Sequence, residues 1–468
     1  MTAVLWLRRD LRLHDHPALN AALEDAGQLV PIFCFDQRLL AGRHASGPRT
    51  QFLLECLADL DRSLRDRGSR LVVRHGPPER ELVSLARELG ARRVHYTADV
   101  GPFARKRDRR VGRALRDARI EACAHPGLLV PEDVGSIRSD AGQPYTVFTP
   151  FHRRWGSRPR RRPLQPPSSL PGLQRGVASG KLPPLSALKL EQEVEHPLPG
   201  GERAARERAE AFLRNGLSSY ERGREMVADD GVSRLSPYLH FGCVSPRELE
   251  ARLPSSKGAA AFGRQLCWRD FYAQVLLHFP ANARSEHQRR YRGSIRWSHA
   301  ESLFRAWCEG RTGYPMVDAG MRQLRYEGWM HNRARLLVGS FLTKHLGIDW
   351  RWGERWFMRL LIDGDEASNN GNWQWIASVG VDPQPPFRRI YNPARQQARF
   401  DPDGRYVRRY VPELARVGPQ YLSEPWNMPA DIQRQSGCVI GRDYPRPIVD
   451  HAQARREALT RYAEAGSD

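Results

Sequence analysis

Four short apolar runs rich in β-forming residues open the chain, at 4–7, 29–35, 71–73 and 94–96, and amphipathic stretches such as 49–67 and 78–89 separate them. Short apolar runs in rhythm with amphipathic stretches predict strand, helix, strand, and hence a doubly wound parallel sheet. The first domain is therefore expected to be α/β, to end near Leu129 and to span 1–130. Neither GxGxxG nor a P-loop string follows its first strand, so a dinucleotide or triphosphate site of the usual kind is not indicated. Residues 157–201 are dense in Pro, Arg, Ser and Gly without sustained periodicity, which places a connecting linker at 131–201, wrapped over the surface. From 202 onward, long amphipathic segments (202–215, 257–278, 316–346) alternate with turns and strand-like alternation nearly disappears. The second domain, 202–468, is expected to be all helical, without internal repeats.

Charge adds a partner to this picture. The chain has 74 Lys+Arg against 53 Asp+Glu, a formal +21 with pI near 10.3. Such an excess favours a polyanion, because neutralised phosphates release counterions; a generally Arg-rich proteome is the competing explanation. Seven scattered cysteines without CxxC spacing argue against a disulfide framework, a zinc site or an iron–sulfur cluster, and for a reducing cytoplasm. The first apolar run is broken by Arg8, Arg9 and Asp10, too early for a signal peptide, and no stretch reaches the ~20 apolar residues of a membrane span. A soluble cytoplasmic protein is expected.

The densest chemistry lies in DGDEASNNGNWQW, 363–375. Gly364, Ala367, Ser368 and Gly371 let backbone approach a planar ring, Asp363 and Asp365 can accept from its polar edge, Asn369 offers an amide, and Trp373 and Trp375 offer stacking surface. A buried loop with core tryptophans explains the run equally well taken alone. GVSRLSPYLHFG, 231–242, puts hydroxyls and free N–H groups before a helix, which suits a pyrophosphate. N-capping by Ser233 or Ser236 is the commoner explanation. In RQLCWRDFY, 264–272, helical spacing sets Gln265 beside Arg269, with Trp268 on an adjoining face. An amide, an aromatic plate and a cation can together read a base, or the helix simply packs Trp268 inward. MHNRARLL, 330–337, sets Asn332 and Leu336 one turn apart and points Arg333 and Arg335 in different directions.

These strings, with GWMHNR (328–333), DWRWGERWFM (349–358) and VLWLRRDLRLHDHPAL (4–19), resemble the photolyase and cryptochrome family along nearly the whole chain and in order. The match is nearest to the class I cyclobutane pyrimidine dimer photolyases. The resemblance implies flavin adenine dinucleotide, FAD, held by Tyr220, Val232, Ser233, Arg234, Leu235, Ser236, Gln265, Arg269, Arg335, Asp363, Gly364, Asp365 and Asn369. Within that set Arg335 pairs with Asp363 under the flavin, Asn369 faces its N5, and Val232 stands where many members have threonine. Trp373, Trp350 and Trp297 match the electron relay that reduces oxidised flavin. Damaged DNA is the implied partner. Gln265, Trp268, Arg269, Asn332 and Trp375 face the flipped lesion, and Arg224, Arg269, Arg333, Arg388 or Arg389, and Gln396 hold the strand.

The implied reaction is redox-neutral: excited, fully reduced anionic flavin lends an electron to the dimer, the ring bonds open, and the electron returns. The (6-4) class carries histidines at the positions of Asn332 and Leu336, so that activity is not expected. Gln265 departs from the glutamate usual in class I enzymes. Folate-using members carry an Asn-Glu pair where this chain has Phe103 and Ala104, which disfavours folate and leaves a deazaflavin, a second flavin or no antenna. A monomer without metal is expected. A cryptochrome-type light sensor is the alternative, opposed by the short stretch after the helical domain and by Asn369, which does not donate a proton to N5 as an aspartic acid does. A basic flavoprotein oxidoreductase unrelated to DNA lacks a nicotinamide signature.

Overall fold

The computed structural model describes residues 2–174, 176–229, 231–382 and 384–466. Five parallel strands, β1 (Thr2–Leu7), β2 (Gln28–Phe35), β3 (Val72–His75), β4 (Arg93–Thr97) and β5 (Glu121–His125), form one sheet in the order β3-β2-β1-β4-β5. Val4 of the central strand lies opposite both Val30 and Val94. Successive side chains point to opposite faces. Ala3, Leu5 and Leu7 accordingly enter one hydrophobic core, which continues into the helical half through Tyr238, Phe262 and Phe271. Val4 and Trp6 enter the other, under the helices Pro78–Glu88 and Pro102–Asp117. The strand order reverses between β1 and β4, and the crevice at the carboxyl ends of such strands is where doubly wound sheets bind ligands. β5, EACAH, escapes the sequence pattern because it is a largely solvent-facing edge strand with no apolar run.

The expected linker contains one α-helix, Phe148–Gly156, followed by irregular chain with a 3₁₀ turn at Leu185–Leu188. It is strapped to the sheet domain by Val73 N–H donating to Ser179 O at 2.7 Å and Leu170 N–H to Arg67 O at 2.7 Å. In the helical half, Lys257–His278 forms as expected. The segment 316–346, expected as one stretch, is three: Pro315–Glu327, Asn332–Ser340 and the π turn Phe341–His345. Gly328 stops the first at φ +63°, a conformation that disfavours any side chain. His331 then starts the second by accepting from Arg333 N–H at 3.1 Å. Among the described residues no helix is long and apolar enough to cross a membrane.

The two halves are joined by the basic string after β1. Leu11 N–H donates to Phe241 O at 3.1 Å and Leu13 N–H to the carboxylate of Glu202 at 2.8 Å. Arg12, 1% exposed, donates to the carbonyls of His14, Asp15, Gly127 and Gly242. A guanidinium with its donors on carbonyls keeps a buried charge hydrogen-bonded, and here it ties sheet domain to helical domain.

Candidate functional site

The 363–375 run is a turn feeding a helix, Glu366–Ile376, whose N-cap Asp365 accepts from Ser368 N–H at 2.9 Å. Asp363 and Arg335 form the expected pair, Nη2 to Oδ2 at 2.8 Å, and Arg335 Nε holds Met330 O at 2.8 Å. Asp363 Oδ1 is buried without a partner among the described residues. A buried carboxylate oxygen of that kind calls for a donor, and the N–H edge of a flavin supplies one, so this pair fits FAD. Asn369 Nδ2 donates to Glu354 O at 3.0 Å. A carbonyl can only accept, so the nitrogen faces Glu354 and Oδ1 is the amide's acceptor for a ligand.

Two neighbours behave differently from expectation. Asp365 caps its helix and pairs with Arg9 at 2.6 Å. Its carboxylate, expected to accept from a ring edge, is instead committed to joining the two domains. The space beside Gly364 is filled by Arg49, 2.5 Å from where a Cβ would stand, so this glycine admits an arginine from the sheet domain and not a planar ring. Arg49 in turn holds Met358 O at 2.6 Å.

In the 231–242 string neither serine is the N-cap. Leu235 precedes the six-residue helix Ser236–Phe241, Ser233 Oγ accepts from Leu235 N–H at 3.4 Å, and Ser236 Oγ accepts from Trp329 Nε1 at 3.3 Å. Arg234 sits at φ +50°, pairs with Glu327 at 3.0 Å and lies 4.5 Å over Trp329. Val232 packs at the edge of the first core. Tyr220 is buried against Phe212 and Phe262.

Trp268 stacks on Phe148 with ring centroids 3.6 Å apart and planes within 3°. Trp375 is backed by Arg389 at 3.9 Å, and its Nε1 donates to Asp382 Oδ2 at 3.0 Å. Both tryptophans are half-buried and braced by these neighbours; Gln265 is half-buried on the helix of Trp268. Arg269 is half-buried, and it donates to Leu128 O at 2.8 Å and Leu239 O at 3.2 Å. The expectation that it holds a strand phosphate is overturned, because its guanidinium is committed to these two carbonyls, the first across the domain boundary. Arg389 is 2% exposed and committed to Trp375 O and Asp382, whereas Arg388 is exposed with Gln384 as its side-chain partner at 2.8 Å. Arg388 is therefore the member of that pair open to solvent. Arg333 pairs with Glu225 and lies 4.2 Å over Phe400, and Arg224 stands 3.6 Å from the same glutamate. Asn332 is exposed at its helix start, with Leu336 and Gln396 half-buried.

Trp373 is buried against the helix Trp350–Leu360, where a Cβ on Gly353 would lie 2.1 Å from its ring. Gly353 is one turn from Trp350, so the absent side chain lets the two tryptophan-bearing elements meet. Trp350 is fully buried, its Nε1 donating to Glu286 at 3.3 Å, while Trp297 is half-buried beside Tyr462, centroids 6.4 Å apart. A second line of rings, unforeseen in the sequence, also leads outward: Trp373 to Trp307 at 6.2 Å, to Phe304 at 5.8 Å, to half-buried Trp352 at 5.1 Å. Only ring-to-ring distances reveal it.

Where β1 and β4 diverge, a cavity of about 640 Å³ opens between the domains. Arg8, Phe103 and Arg107 line one side and Arg269, Asp365 and Glu366 the other. Burial alone would raise the Asp99 carboxyl in its wall, but Arg9 holds it below its ordinary range. Burial and the adjacent Asp365 push Glu366 up to about 7. Burial and Arg8 push Arg107 down to about 10. Cationic and anionic groups are thus set around a slot large enough for a planar cofactor.

Residues 3–169 match the family model for DNA photolyase and residues 262–464 that for the FAD binding domain of DNA photolyase. A deoxyribodipyrimidine photo-lyase of Streptomyces griseus is 44% identical over 461 residues, covering 97% of each chain. A bacterial class III photolyase from Agrobacterium tumefaciens superposes with a TM-score of 0.92 at 37% identity, over 100% of this chain and 98% of that one. An archaeal photolyase from Sulfolobus tokodaii, solved with two FAD molecules, gives 0.85 at 33% identity over 99% of this chain and 100% of that one. Likeness of this extent in sequence and fold, running through both domains, means that the chain belongs to the photolyase/cryptochrome family.

Proposed function

We propose that the protein repairs cyclobutane pyrimidine dimers in DNA by light, with FAD in its helical domain. The observation that carries this reading is the Arg335–Asp363 pair with the buried Asp363 Oδ1 left for a donor, set in the same fold as two braced tryptophans. Reduced FAD, when bound, supplies the light-driven electron that opens the dimer and takes it back afterwards. The chain does the rest. Asp363 and Arg335 hold the polar edge of the ring, and Asn369 presents an acceptor in place of a proton donor. Trp268 and Trp375 form the walls against which the extruded dimer rests, and Gln265, which both donates and accepts, complements a thymine edge. Arg388 and Arg333 meet strand phosphates. Trp297, Trp350 and Trp373 carry electrons inward when the flavin is oxidised.

The cavity between the domains is assigned to an antenna chromophore in this reading. Its arginines suit a phosphate-bearing chromophore such as a deazaflavin or second flavin, and the two FAD molecules of the Sulfolobus tokodaii relative support that choice over folate. Boundaries at 1–130, 131–201 and 202–468 and a cytoplasmic monomer complete the proposal. Dimer-containing and (6-4)-containing DNA, each incubated with reduced protein in light and in darkness, provide the test. Light-dependent loss of dimers alone is expected; repair of (6-4) lesions without dimers refutes the substrate, and inactivity on both favours a sensor.

A further inference from the structure

A second aromatic groove lies on the helical domain, sharing no residue with the cavity between the domains. It is an open depression of about 810 Å³ between the helices Glu301–Glu309 and Trp350–Leu360. Trp352 and Trp356 stand one turn apart on the second helix, and Phe304 meets Trp352 edge to face at 5.1 Å. A tryptophan pair on the outer face of an amphipathic helix contributes little to a core. Both are only half-buried. The indole N–H of Trp356 is shut off from solvent without an acceptor among the described residues, an orphan of the kind that a ligand oxygen completes. Arg305, Arg325 and Arg355 line the same groove, exposed, and their side chains make no hydrogen bond or ion pair among the described residues. Arg359 is different, being neutralised by Glu193 at 2.5 Å.

A ligand that satisfies these groups must bring a flat ring, an acceptor oxygen and negative charge together. We propose that this groove binds a free purine nucleoside phosphate, its base stacked on Trp352 and Trp356 and its phosphates on Arg305, Arg325 and Arg355. Purine rings offer the largest stacking face, and three unpaired guanidiniums in one wall match a di- or triphosphate. A nucleic-acid strand fits less well, because Glu301 in the same groove, without an ion pair among the described residues, repels a continuing run of phosphates.

The test uses the FAD-loaded full chain, so that the adenosine part of the cofactor already fills its own site, and follows ADP and ATP binding by titration calorimetry. One saturable equivalent is expected, weakened at least tenfold for adenosine and for the variants Trp352→Ala and Arg355→Glu, with flavin retention and circular dichroism unchanged. Arg355 is exposed, so its substitution probes the groove even if Trp352→Ala misfolds. Absence of ADP binding, or binding that both variants leave unchanged, overturns the proposal. A sixteen-nucleotide oligothymidylate that displaces ADP at lower nucleotide concentration than ATP does overturns the choice of a free nucleotide.

Discussion

Gly353→Ala is the change that most directly tests how the relay is assembled. An alanine Cβ there would stand 2.1 Å from Trp373 Cη2, 2.6 Å from its Cζ2 and 2.6 Å from Leu342 Cδ2. All three atoms belong to buried side chains, so none can swing into solvent. Relief requires Trp373 or the helix Trp350–Leu360 to move by more than an ångström. Overpacking of this type costs about 1–3 kcal/mol, and the better helix propensity of alanine returns about 1 kcal/mol. The net expectation is a loss of about 0–2 kcal/mol. Gly112→Ala is the matched control: it lies inside the helix Pro102–Asp117 with no heavy atom within 4 Å of where the new methyl would stand, so the propensity gain of about 0.5–1 kcal/mol stands alone. Urea unfolding followed by circular dichroism reads both. Because the displaced ring is the proposed inner relay residue, Gly353→Ala should also slow photoreduction of oxidised flavin, which Gly112→Ala leaves unchanged. If both alanines stabilise alike and photoreduction is the same in each, the packing argument fails.

Trp373→Phe should abolish photoreduction while leaving repair intact in chemically reduced enzyme; equal loss in the pre-reduced enzyme would place Trp373 in the lesion pocket. Arg388→Ala should reduce the magnitude of the slope of log binding constant against log salt by about 0.9 on duplex DNA, whereas Arg269→Ala, whose donors hold two carbonyls, should leave it unchanged. The reverse pattern in filter binding across a salt series would invert that assignment. Burial and then Arg333 depress the His331 imidazole from 6.5 to about 3, so the folded state refuses a proton that the unfolded chain accepts. Its contribution is therefore complete above about pH 6.5 and drains away as pH falls from there towards 3, by about 1.4 kcal/mol per unit in the middle of that window. His331→Asn keeps an acceptor for Arg333 N–H and should flatten the loss of stability between pH 6 and 5 by about 1 kcal/mol in urea melts; parallel curves for the two proteins would remove His331 from the account.

Local periodicity determined much of this molecule. Short apolar strands, the amphipathic helices between them and Lys257–His278 were legible because each depends on residues a few positions apart. The pairing of Arg335 with Asp363, 28 residues away, came through the resemblance carried by the motifs. The tertiary structure decided the rest, and the reason is distance along the chain. Arg9 meets Asp365 across 356 residues and Arg12 meets Gly242 across 230, so no window of sequence contains both partners. The basic string after β1 therefore looked like charge and proved to be the strap between domains. Asp365 and Arg269, chosen for a ligand by their chemistry, are held by groups that only the fold brings to them. Gly328 breaks 316–346 at a positive φ, with Ile362 3.0 Å from where its Cβ would stand. Sequence names the chemical capacity of a side chain, and the fold determines whether that capacity is spent within the protein or remains for a ligand.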